Sequence, residues 1–91
     1  MTTPLALSDD TVLLLGQFAD TLDRQRPDAE MREEIRLARA LVFAEQLHGP
    51  TEAAFAAEQD LLAAAPRVRH GQTRGEYAAL LRLIARGVST G

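Results

Sequence analysis

Glu45 and His48 stand three residues apart in a stretch with helical character. A carboxylate and an imidazole at that spacing leave a helix on the same face, as in the Glu-x-x-His pairs that hold metal in carboxylate-bridged di-iron bundles. Such a centre needs a second copy of the pair and further glutamates from other helices. This chain carries one copy, and a homodimer could supply the second across a two-fold axis. A simpler role for His48 follows from its place in the last turn of its helix, where a protonated ring meets the negative helix end and Glu45 faces solvent. Nucleophilic chemistry finds little to work with, since the chain has no cysteine, its serines are Ser8 and Ser89, and no glycine-flanked elbow or P-loop is present.

A second group of reactive types lies at Val68-Arg69-His70-Gly71-Gln72-Thr73. These residues resemble the Arg-His-Gly motif of the histidine phosphatase and phosphoglycerate mutase family. The resemblance covers about five residues of 91. It implies His70 as phosphoryl acceptor and Arg69 as phosphate holder, on an α/β fold whose first strand ends at the motif. That family completes its site with a second histidine, another arginine and an acid downstream. The residues after Thr73 include no histidine, and Leu61 to Pro66 ahead of the motif is alanine-rich and helical in character. The string is therefore expected to be an inter-helix loop. No catalytic residue, metal or cofactor is expected.

Arginine supplies all ten basic side chains, and its distribution is uneven. Residues 1–60 hold 12 acids and 5 arginines, whereas residues 61–91 hold 1 acid and 5 arginines. Arg67, Arg69, Arg74, Arg82 and Arg86, with His70, are thus candidates for a basic face that meets phosphate or an acidic protein surface. Against nucleic acid stand the net charge of −3, the lack of an aromatic in the loop for base stacking, and an acidic third helix unsuited to recognition.

The elements that must position these residues are read from their punctuation. Ser8 caps a helix over about 9–23, with Leu14, Leu15, Phe18 and Leu22 on one face. Pro27, Asp28 and Glu30 suit a first turn, predicting a second helix over 27–48. Its first half carries a stripe of Met31, Ile35, Ala38 and Val42 between charges. Its second half, Ala40 to Leu47, is almost wholly apolar, which predicts enclosure on several sides. Gly49 and Pro50 end it, and Thr51 caps an alanine-rich third helix over 52–64 whose large anchors are Phe55, Leu61 and Leu62. Thr73 and Glu76 form a capping box for a fourth helix over 74–86, with Tyr77, Leu80, Leu81 and Ile84 in register. Gly87 suits the position after its cap, with Val88 closing back on Leu83.

Fourteen leucines and sixteen alanines against four aromatic residues favour helix over sheet. The length allows one domain, 1–91, with 1–6 and 89–91 expected to fray. No apolar run reaches the roughly 18 residues of a membrane span, and Met1 to Pro4 lack the positive start of a secretory signal, so a cytoplasmic protein without membrane contact is expected. The expected fold is all-α, a compact four-helix bundle or orthogonal array. The expected role is a small non-enzymatic protein–protein interaction module such as a regulator, inhibitor, adaptor or accessory subunit, self-associating as a homodimer; the alternative is a nucleic-acid-binding regulator using the arginine-rich C-terminal third. Candidate contact residues are Phe43, Leu47, Phe55 and Leu62 together with Arg67, Arg69, Arg74, Arg82 and Arg86.

Overall fold

The computed structural model describes residues 7–87 and is all-helical, with α1 (Asp9–Arg24), α2 (Glu33–His48), α3 (Glu52–Ala64) and α4 (Arg74–Ala85). The expected fraying at 1–6 and 89–91, and the Val88 closure, lie outside the described residues. The molecule measures 37 × 34 × 19 Å, about two helix diameters thick. α1 packs mainly on α4 and α2 mainly on α3, and α1 also touches both members of the second pair.

Side chains cap three of the four helices where the sequence places them. The Ser8 hydroxyl accepts from the Thr11 amide at 3.1 Å and the Thr51 hydroxyl from the Ala54 amide at 3.3 Å. Thr73 and Glu76 form the full reciprocal box, at 3.1 and 2.9 Å. Hydrogen bonding to Thr73, its backbone amide first, holds the Glu76 carboxyl below its usual pKa. Gly87 takes the positive φ that stops α4.

α2 begins six residues later than its acidic, proline-led entrance predicts. Residues 27–32 do not coil, because their backbone groups are committed to the end of the loop before α4 and to the first residues of α4. The Gly75 amide donates to the Pro27 carbonyl (2.8 Å), the Arg74 amide to Ala29 (2.9 Å) and the Met31 amide to Gln72 (2.8 Å), and Glu30 pairs with Thr73 as an isolated antiparallel bridge. Tertiary pairing outcompetes the local helix signal here.

Phe18 lies at the centre of the core. Its ring meets Phe43 at 5.9 Å and Tyr77 at 6.0 Å, both tilted, a favourable arrangement for aromatic quadrupoles. Leu14, Leu15, Leu22, Met31, Leu61 and Leu81 fill the space around it. Ala40 and Ala44 of α2, with Ala54 and Ala57 of α3, are buried, and their small side chains let these two helices approach closely.

Only the start of the stripe predicted for the first half of α2 faces inward, with Met31 buried in the core. Ile35 is half-buried and Ala38 and Val42 are exposed, while the inward face is Arg36, Ala40, Phe43 and Ala44. The C-terminal half is likewise not enclosed by this chain: Leu41, Val42 and Leu47 remain 44, 40 and 37% exposed. From Ala38 onward hydropathy assigns the wrong face, because an arginine occupies the inward position.

Candidate interaction surface

Arg36 explains that inversion. Its guanidinium reaches across from α2 to the end of α3, where Nε donates to the Ala65 carbonyl (3.0 Å) and Nη2 to the Leu62 carbonyl (2.8 Å), and Nη1 pairs with Glu33. The last carbonyls of a helix lack intrahelical donors, and a buried cation at that negative end satisfies them in charge and geometry. The other oxygen of Glu33 accepts from the Val68 amide (3.2 Å), and the Tyr77 hydroxyl donates to the Pro66 carbonyl. Burial pushes the Tyr77 hydroxyl up to about 12, with the neighbouring Arg36 charge pulling it down. Three side chains thereby pin residues 62–68 from the inside.

With its polar member turned inward, the α2–α3 pair turns large apolar side chains outward. Leu37, Leu41, Val42 and Leu47 of α2 are exposed, and Phe55 of α3 is 64% exposed, more than any other large apolar side chain of the described residues. The first turns of α2 and the end of α1 also splay apart. Leu22, Thr21 and Gln25 on one side and Glu34, Ile35, Ala38 and Arg39 on the other line an open groove of about 310 Å³, with Arg74 at its edge. Arg39 donates to the Gln25 side chain (3.2 Å) and Arg74 to the Gln25 backbone carbonyl (3.0 Å). Among the described residues neither arginine has a carboxylate within ion-pair distance, and Arg74 Nε is buried without a partner.

The candidates named from sequence separate into distinct surroundings. Phe43 is core, its ring tilted against Phe18, which leaves it no free side chain for docking, and Leu62 is half-buried against the core. Leu47 and Phe55 are exposed as required. Arg82 bridges Asp20 (2.9 Å) and Asp23 on α1, and those hydrogen bonds raise its pKa further. Arg86 folds back on the Arg82 carbonyl, and Arg74 belongs to the groove, while Arg67 and Arg69 lie on the exposed loop. Of the five arginines, Arg82 is thus the one paired with acids among the described residues, and the others lie in separate surroundings.

His70 is an exposed residue of a tight turn in which the Gln72 amide donates to the Arg69 carbonyl and the Gln72 side chain accepts from the Arg69 amide. His48 Nε2 sits 3.0 Å from Asp10 Oδ2, tying the end of α2 to the start of α1, and Glu45 is exposed. No group of three or more histidine, aspartate or glutamate side chains is placed to hold a metal among the described residues. No described helix is long and apolar enough to cross a membrane.

Sequence reasoning missed Arg36, Glu33 and the outward Leu37 and Leu41. The signal was present: Ala40, Phe43, Ala44 and Leu47 make a helical face, and one turn back along it is position 36. Charge kept that position out of the stripe. Comparison with protein-family models, curated proteins and solved structures yields no match.

Proposed function

We propose that this protein is a helical protein–protein interaction module whose docking surface is the outer side of the α2–α3 pair. The observation that carries the reading is the set of four large apolar side chains, Leu37, Leu41, Val42 and Phe55, left in solvent on two adjoining helices of so small a protein. Small domains cannot waste burial, because only about two thirds of the extended-chain surface is removed on folding at this size. Leucines and a phenylalanine gathered on one helix pair are the composition of a docking face, on which an aromatic anchor contributes most of the binding energy. A regulator, adaptor or accessory subunit works in this way, through contact and without chemistry of its own.

The test is capture from the native host with a tagged copy expressed beside the natural one, comparing wild type with the double variant Leu41→Glu, Phe55→Glu. Both positions are exposed, so the variant should keep the wild-type circular dichroism. The expected result is a stoichiometric co-purifying chain, another protein or the untagged copy, that falls at least about tenfold in the variant. Equal recovery from both baits would overturn the reading.

A further inference from the structure

We infer that the partner of this surface is a second copy of the same chain, with Phe55 of each copy seated in the α1–α2 groove of the other. The inference rests on the interaction reading above and adds the occupant and its seat. Three observations carry it. The first is size: a cavity of about 150 Å³ is enough for a benzene ring, and the groove offers about 310 Å³ over Leu22, Ile35 and Ala38. That admits a phenyl ring and leaves room for a carboxylate beside it.

The second observation is charge. The groove edge carries Arg39 and Arg74, both drawn to Gln25 and neither paired with an acid, against the single rim acid Glu34. α3 carries Glu52, Glu58 and Asp60 and no basic residue, and Glu52 and Glu58 stand one turn on either side of Phe55. An aromatic knob flanked by acids meets an apolar slot edged by arginines, and no other described element exposes so large an apolar side chain among acids alone.

The third is geometry. Phe55 follows the tight Gly49–Thr51 turn and so lies beside the C-terminal half of α2, whereas the groove uses Glu34 to Arg39 in the first turns of α2. A two-fold axis across the middle of α2 lays the C-terminal half of one copy over the N-terminal half of the other. The dimer requires that this one operation bring both Phe55 side chains to both grooves, the reciprocal contact of a closed assembly. Leu41 and Val42, exposed near the middle of α2, would lie by that axis.

Sedimentation equilibrium on the purified full chain, over about 1 µM to 1 mM, tests this with two variants at exposed positions. Phe55→Glu removes the knob, and Ala38→Trp fills the slot. Each alone should raise the dimer dissociation constant at least about tenfold, with an unchanged circular dichroism spectrum and, at concentrations where all are monomeric, an unchanged urea midpoint. Mixed in equal amounts they should regain dimer, because one intact knob then faces one intact slot. Raising the salt from about 50 to about 500 mM should weaken the wild-type dimer several-fold. A wild type that stays monomeric to about 1 mM would overturn the second-copy inference while the capture experiment still decides the interaction reading. A dimer indifferent to both variants, or a mixture with no gain, would overturn the seat.

Discussion

The two helix pairs solve the same packing problem with opposite arrangements. Between α1 and α4 the interior is apolar, with Leu14, Leu15, Phe18, Tyr77, Ala78 and Leu81 buried, and the outer surface mixes charge, where Arg82 spans Asp20 and Asp23, with the exposed Val12, Leu13 and Leu83. Between α2 and α3 a guanidinium is inside, directing its donors to the end of α3, and leucines and a phenylalanine are outside. The first arrangement stabilises an isolated chain. The second stabilises it less and leaves a surface for use, because a buried charge does not replace the burial that Leu37, Leu41 and Phe55 would have contributed.

The contrast can be broken at its strongest point first. Phe18→Ala removes the ring on which both aromatic neighbours rest and should cost about 4 kcal/mol, read as a shift in the urea midpoint. A loss under about 1 kcal/mol would mean that the core is not centred there.

Arg36→Ala should cost about 3 kcal/mol in the same measurement, since it orphans the Leu62 and Ala65 carbonyls and leaves Glu33 without its cation. Arg36→Lys should recover less than half, because a point charge cannot serve three acceptors as a fork does. Full recovery would reduce the clamp to simple charge.

Tyr77→Phe should cost about 1 kcal/mol by releasing the Pro66 carbonyl, and it has a pH signature. The folded state raises the Tyr77 pKa from 10.0 to about 12, so it favours the neutral phenol. That contribution is complete below pH 10 and is lost as the pH rises toward 12. Wild-type stability should fall across this window with a slope that the phenylalanine variant lacks.

The smallest effects fall on the outer surfaces and separate the two pairs most clearly. Arg82→Ala, which breaks half-exposed ion pairs, and Leu41→Gln, on the apolar face, should each change monomer stability by less than about 1 kcal/mol. Only Leu41→Gln should alter association in sedimentation.

Local signals carried much of this in the sequence. Ser8, Thr51 and the Thr73–Glu76 box mark three helix starts because each bond is made within three residues, and α1, α3 and α4 lie within a residue of their predicted bounds. Phe55 and Leu47 were legible as candidates from their size amid alanines or near a helix end, and both side chains are exposed. Leu37, Leu41, Ala38 and the groove arginines were not, since the outward face of α2 is known only once the inward one is.

What the residues determined alone is the helical content, the caps and the apolar face of α1 and α4, all set by interactions within a few positions of the chain. What only the tertiary structure decided is the late start of α2, where residues 27–31 pair with 72–75, and the orientation of α2, where Arg36 turns inward to the carbonyls of Leu62 and Ala65. Both depend on partners some 26 to 48 residues away. A hydropathy pattern assigns a charged residue to solvent, and only the fold brings to Arg36 the unpaired helix end that makes the interior its better place.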